Sequence, residues 1–314
     1  MGLPGGHTMQ SPVPDIFVQL EKGQIPVTTA LRLLDEEADQ NAKCSVASVE
    51  KCLAELNELI GLNEVKDLVK ELYAFVEVQR RRTRVGLAAE AMSLHMIFRG
   101  NPGTGKTTVA RVIGKMLKEV GILKKGHLVE VERADLVGEY IGHTAQKTRE
   151  QIKRALGGIL FVDEAYSLAR GGEKDFGKEC IDVLVKAMED HRNELVLILA
   201  GYRDEMARFL QANPGLRSRF PIQIEFPDYS PNELLQIAEL MLKKRQYRFT
   251  SEAREAFFRR IEGALRTELI PGNARMVRNM VEKAIRRQAL RLVSKTDATM
   301  DELMTITVAE VDLL

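Results

Sequence analysis

Gly100-Asn101-Pro102-Gly103-Thr104-Gly105-Lys106-Thr107 decides the reading of this chain. The octet fits G-x-x-x-x-G-K-[ST] at every position. Glycine carries no Cβ, so a backbone rich in it wraps closely and aims successive N–H groups at phosphate oxygens. A lysine at Lys106 reaches the β- and γ-phosphates of a nucleotide, and the hydroxyl of Thr107 is the expected Mg²⁺ ligand. Thr108 follows in the first turn of the helix that the loop opens, whose positive end adds to the attraction for anions. The pattern arises by chance in about one chain of this length per hundred, so context matters. Leu94–Arg99 before it reads as a short buried strand, and Thr107–Val120 after it as a helix. That strand–loop–helix setting is the one phosphate binding requires.

About sixty residues downstream stands Ile159-Leu160-Phe161-Val162-Asp163-Glu164. A buried strand ends there in two acids. Asp163 suits the shell of a magnesium ion, usually through water, and Glu164 suits the polarisation of an attacking water. Alone, an apolar run before Asp-Glu is a weak signal; at this distance from a phosphate loop it is a specific one.

Further out, short strand patterns at His127–Glu132, Leu195–Ala200 and Ile222–Phe226 alternate with helical stretches at Ala145–Leu156, Gly177–Asp190 and Asp204–Ala212. Such alternation predicts an α/β fold, a mostly parallel sheet covered by helices on both faces. Gly157-Gly158 reads as a helix stop before the third strand. From Ser230 no strand pattern follows. Ser230-Pro231-Asn232-Glu233 supplies an N-cap, a proline at the first helical position and an acidic first turn. Helices are expected over Glu233–Lys244, Ser251–Leu265 and Asn273–Val293.

On the N-terminal side, Ser45–Arg84 has a helical pattern that Gly61 divides, with Leu53, Leu56, Leu59 and Ile60 before it and Val65, Leu68, Val69, Leu72 and Val76 after it. Arg80, Arg81, Arg82 and Arg84 end the second helix, where a positive cluster suits the dipole. The expected organisation is a weakly ordered leader over 1–45, with a short helical pattern at Thr28–Ala38. An α/β ATPase domain over 46–229 and a helical lid domain over 230–314 follow it.

Composition narrows the function further. Of the 314 residues, 45% are hydrophobic and 29% charged, which is enough for a real core. A net charge of +1 gives no global pull toward nucleic acid or anionic membrane. Three cysteines, Cys44, Cys52 and Cys180, lack metal-site spacing and read as reduced thiols. With no membrane-spanning apolar run and no signal pattern, a cytoplasmic protein is expected.

Finer stretches carry a resemblance. The paired motifs, the strand–helix order and the helical C-terminal unit look like the AAA+ family of P-loop ATPases, from about Glu55 to Val293. Glu139-Tyr140-Ile141-Gly142-His143-Thr144-Ala145, Asp163-Glu164-Ala165-Tyr166, Leu199-Ala200-Gly201-Tyr202 and Phe226-Pro227-Asp228-Tyr229-Ser230 resemble the branch of stage V sporulation protein K and the red-type Rubisco activases. Gly171–Glu179 leans toward the sporulation type.

The resemblance implies ATP and Mg²⁺ as ligands and a ring of identical chains, usually a hexamer, that remodels a protein client. It implies that Leu59-Ile60-Gly61 lies over the adenine. Arg219, with Arg217 as the second candidate, would be an arginine finger acting on a neighbour's ATP. Arg275, in Gly272-Asn273-Ala274-Arg275, matches a lid arginine that senses the γ-phosphate. Tyr140, Ile141 and Gly142 match a loop facing the central pore. Tyr202 departs from the Asn or Thr common at its position; it either orients the water or packs. A rival reading is a nucleotide-dependent scaffold that assembles without mechanical work. No appended DNA-binding motif points to a nucleic-acid motor.

Overall fold

The computed structural model describes residues 48–88, 93–140, 142–170, 176–267, 272–295 and 297–312. The leader over 1–45, Cys44, Ile141 and Gly171–Asp175 lie outside them. The chain divides into two compact units between Lys51 and Cys52. Residues 48–51 of the first are helical. The second unit carries the sheet and the lid.

Helical backbone runs over 52–57 (α1), and the chain then bends through 58–62. Gly61 and Leu62 take φ of +62° and +55°. Two successive left-handed residues cannot continue a right-handed helix. Leu59 and Ile60, which the apolar spacing assigns to the first helix, therefore stand in the bend. Helix α2 (Asn63–Arg84) buries Val65, Val69, Leu72 and Val76 along one stripe. Arg81, Arg82 and Arg84 lie in its last turn, and Arg80 and Arg81 both pair with Glu77.

Five strands among the described residues form one parallel sheet: β1 (Met96–Gly100), β2 (Leu128–Val131), β3 (Gly158–Val162), β4 (Leu195–Gly201) and β5 (Ile222–Phe226), in the order β2-β3-β4-β1-β5. β3 and β4 are buried throughout, as strands covered on both faces must be. Between strands run α3 (Lys106–Glu119), α4 (Arg133–Leu136), α5 (His143–Ala155), α6 (Gly177–Asp190), α7 (Arg203–Ala212) and α8 (Pro214–Arg219). A 3₁₀ turn occupies Ala165–Ala169. Because the strands are parallel, Gly100, Asp163 and Gly201 all emerge at the carboxyl edge. β1 starts the sheet in sequence yet sits between β4 and β5, so the strand order reverses beside it. Parallel sheets bind ligands in the crevice at such a reversal.

The lid opens with α9 (Pro231–Lys244). Its capping box is complete: the Ser230 hydroxyl accepts from the Glu233 N–H, and the Glu233 carboxylate accepts from the Ser230 N–H at 2.8 Å. α10 (Ser251–Thr267), α11 (Asn273–Leu292), α12 (Met300–Met304) and α13 (Val308–Asp312) follow. The expectation of no strand after Ser230 needs correction. β6 (Arg248–Phe249) and β7 (Thr305–Ile306) pair in parallel within the lid. Each has two residues, too few to show an alternation.

Candidate active site

The phosphate loop leaves β1 at Gly100 and turns through Gly103 and Gly105, at φ of +72° and +98°. At Gly103 the lack of a side chain is also a matter of space. A Cβ there would overlap the Gly272 carbonyl and lie 2.8 Å from the Arg275 nitrogen. The Thr104 side chain is buried and donates to the Asn101 carbonyl at 2.8 Å. Lys106 folds back over the loop, its Nζ 2.8 Å from the carbonyl oxygens of both Gly100 and Asn101. Burial lowers its pKa and Arg275 adds to the fall, while Asp163, Asp228 and Glu164 oppose it. A cation hydrogen-bonded to two backbone carbonyls, with acids nearby, can exchange those carbonyls for phosphate oxygens.

Around the loop lies a cleft of about 320 Å³. The phosphate loop forms its floor, with Pro102, Gly103, Gly105, Lys106, Thr107 and Thr108 exposed to it. Asp163 and Glu164 enter from the end of β3, and Gly201 and Tyr202 from the end of β4. Arg275 closes it from the lid. Glu164 is exposed and holds φ at +47°, a conformation that costs a non-glycine residue about 1 kcal/mol or more and that collects at functional sites. Its N–H donates to the Asp163 carboxylate at 3.0 Å. Tyr202 is half-buried with its ring 5.9 Å from that of Tyr166. Burial, and next the Glu164 charge, raise the pKa of the Tyr166 phenol.

Three further residues line this cleft that the sequence did not single out: Arg111, Glu130 and Arg278. The Thr107 hydroxyl donates to Glu130 at 3.1 Å, and Arg111 donates to the same carboxylate at 3.3 Å. Arg111 stands one turn after Thr107 on α3, and Arg278 one turn after Arg275 on α11, so helical spacing would have found both. Glu130 is brought in by the pairing of β2 with β3, which no local pattern announces. Lysine, hydroxyl, arginines and carboxylates in one cleft suit a polyphosphate with a divalent cation.

Residues 96–228 match the ATPase family associated with various cellular activities (AAA), and residues 230–313 match the AAA lid domain. The chain is 56% identical over 255 residues to stage V sporulation protein K of Bacillus subtilis, across 80% of this chain and 79% of that protein. It is 49% identical over 277 residues to protein CbbX of Cereibacter sphaeroides, across 88% and 89%. The chain belongs to the AAA family of ATPases. Within the family it lies in the branch of stage V sporulation protein K and the red-type Rubisco activases. The crystal structure of the FIGL-1 AAA domain, at 18% identity and a TM-score of 0.56 over 82% of this chain and 80% of that one, shares the fold.

Other expected site residues of this AAA ATPase stand apart from the cleft. The Asn101 side chain turns away to Asp228, with its Nδ2 2.9 and 3.0 Å from the two carboxylate oxygens. Ile60 and Gly61 stand in the bend before α2. A Cβ on Gly61 would overlap the Glu233 carboxylate, and the next residue, Leu62, packs near Gly105. Arg217 and Arg219 occupy the last turn of α8. Arg219 lies 3.4 Å from the Glu189 carboxylate and donates to the Gly215 carbonyl at 2.9 Å. Neither arginine lines its own chain's cleft. Tyr140 is 66% exposed, so its ring is not buried in this chain's own core. Gly142, at φ +83°, is the N-cap of α5.

Proposed function

We propose that this AAA ATPase hydrolyses ATP with Mg²⁺ in the cleft above β1, β3 and β4, that each site is completed by a neighbouring chain, and that turnover drives remodelling of a protein client. The observation that carries this reading is the division of the residues. The phosphate loop, the acid pair and the lid arginine meet in one cleft, while Arg217 and Arg219 stand outside it. A guanidinium that cannot reach its own nucleotide is suited to one on an adjacent subunit.

The donor set fits magnesium. The Thr107 hydroxyl and the Asp163 carboxylate are hard oxygen ligands, and Glu130 already accepts the hydroxyl proton of Thr107, leaving that oxygen's lone pairs free for a cation. When bound, the ion neutralises charge on the β- and γ-phosphates. Lys106 exchanges its two carbonyl partners for phosphate oxygens. Glu164 accepts a proton from the attacking water and directs it at the γ-phosphorus. Arg275 meets the γ-phosphate from the lid, Tyr202 helps orient the water, and Ile60 and Gly61 cover the adenine. Arg219 of an adjacent chain, with Arg217 as its substitute, stabilises charge as the γ-phosphoryl departs.

The functional ATPase domain extends over 46–229 and the lid over 230–314. The assembly is a ring, a hexamer by family habit, working in the cytoplasm. Among the described residues no helix is long and apolar enough to cross a membrane. Tyr140, with Ile141 and Gly142, grips the client at the pore. The ATPase itself is of the stage V sporulation protein K type, in line with the 56% identity. A red-type Rubisco activase is the second reading, in line with the 49% identity to CbbX.

Glu164→Gln tests the chemical part. An amide binds water but is too weak a base to take its proton, so the variant retains ATP affinity while turnover falls about 100-fold or more. Steady-state phosphate release beside nucleotide titration reads both. Turnover at the parental rate overturns the assignment.

A further inference from the structure

Between the phosphate loop and the lid lies a hydrogen-bond cluster to which the proposed reaction gives no role. Its centre is Asn273, the first residue of α11, fully buried and held at φ +49°. Its Nδ2 donates to Asp228 Oδ1 at 2.8 Å and to the Pro102 carbonyl at 3.3 Å. Its Oδ1 accepts from the Tyr229 N–H at 3.0 Å. Asn101 donates to Asp228 from the other side. A carboxylate only accepts, so both amide side chains must turn their NH₂ groups toward it. That fixes the orientation of each.

The same cluster reaches the loop backbone. The Pro102 carbonyl accepts from Asn273, the Gly103 carbonyl from the Ala274 N–H at 3.2 Å, and the Thr104 carbonyl from the Tyr229 hydroxyl at 3.2 Å. Three successive carbonyls of the phosphate loop are thus held by the hinge and the lid. In a planar trans peptide the C=O and the following N–H point in opposite directions. Holding these carbonyls on the lid side directs the N–H groups of Gly103, Thr104 and Gly105 the other way. Arg275 follows two positions after Asn273 in the same first turn of α11 and lines the cleft.

We infer that Asp228 and Asn273 are positioning residues: one hydrogen-bond cluster sets both the phosphate-binding amides and the placement of the lid arginine, so that the loop and Arg275 address the nucleotide together. The inference rests on the reading of Arg275 as the residue that meets the γ-phosphate. It adds that Arg275 discriminates ATP from ADP only while the cluster holds the first turn of α11 against the loop.

The test uses the full chain and the ratio of ATP to ADP affinity in the presence of magnesium. That ratio is unmoved by a loss of folded fraction, which scales both affinities alike. Asn273→Gly removes the amide without straining a left-handed backbone. Asp228→Asn keeps the shape but replaces one of the two accepting oxygens by an NH₂ that faces the Asn101 amide, a donor against a donor. Arg275→Ala removes the arginine itself. Each single substitution lowers the ratio about tenfold, the scale of one or two lost hydrogen bonds to a charged group. Asn273→Gly combined with Arg275→Ala lowers it no further than Arg275→Ala alone, because a change in the loop amides weakens ATP and ADP alike and only the guanidinium distinguishes them. If Arg275→Ala lowers the ratio while Asn273→Gly and Asp228→Asn leave it at the parental value, the positioning role is overturned and the arginine's role stands. Effects that multiply in the double variant overturn it as well. If Arg275→Ala itself leaves the ratio unchanged, the reading of the arginine fails and takes the inference with it.

Discussion

The loop after β1 and the loop after β2 leave the same edge of the sheet, yet their polar and apolar groups are satisfied in different places. In the first, Thr104 is buried, Lys106 is tied to two carbonyls, and lid and hinge groups hold the carbonyls from Pro102 to Thr104. In the second, the side-chain hydrogen bonds of the described residues gather at the base, and the tip is turned by a backbone bond from the His143 N–H to the Tyr140 carbonyl at 3.1 Å. The Gly138 N–H donates to the buried Thr144 hydroxyl at 3.0 Å, and Thr148 donates to the Leu136 carbonyl at 3.1 Å. Its tip presents Tyr140 to solvent, with the His143 ring, at 5.5 Å, as its one ring contact among the described residues. A loop whose bonds are met internally is shaped for a small ligand within the chain. A loop that gathers its side-chain bonds at the base and exposes an aromatic is shaped for something outside it.

If that contrast is right, substitutions in the two loops separate by what they damage. Lys106→Ala has the largest effect. The phosphates lose a cation with two or more charged hydrogen bonds, so ATP affinity falls about 100-fold, measured by fluorescent-nucleotide titration. Affinity within a factor of two of the parent would break the comparison at its stronger end. Thr144→Val comes next. It leaves the buried Gly138 N–H without its acceptor and lowers stability by about 1–3 kcal/mol, read by denaturant unfolding, while the nucleotide cleft is untouched. Tyr140→Ala has the smallest effect on the chain itself. An exposed ring removed from a loop tip changes stability by about 0.5 kcal/mol or less. Assembly and basal hydrolysis stay at the parental level, and client-stimulated turnover is lost. A Tyr140→Ala chain that melts several degrees lower, or that still remodels its client at the parental rate, would contradict the reading of the exposed tip.

Legibility follows the range of the interactions. β5 (Ile222–Phe226) and α6 (Gly177–Asp190) have the bounds that sequence periodicity gives, because each is long enough to repeat its pattern and is bounded by turns. The phosphate loop and the acid pair are readable because their chemistry is local. α4, α8 and the 3₁₀ turn at Ala165–Ala169 escape a reading of the sequence because four to six residues do not complete a recognisable period. Leu59 and Ile60 keep a helical spacing through a bend that two positive φ angles impose. Glu130 and the Asn101–Asp228–Asn273 cluster are hidden for a different reason. Asn101 meets Asp228 across 127 residues and Asp228 meets Asn273 across 45, so folding alone brings them together.

The central claim, that each cleft is finished by a neighbour's arginine, is tested most directly by ATP turnover in mixed assemblies. Arg219→Ala chains bind nucleotide but lack the finger, and Lys106→Ala chains carry the finger but lack the phosphate cation. Each preparation alone is expected to be inactive. Mixed, some interfaces pair an intact cleft with an intact Arg219, and partial turnover returns in proportion to those interfaces. Turnover that stays at the level of the separate variants, in a mixture shown to contain both chains in one assembly, would contradict the account.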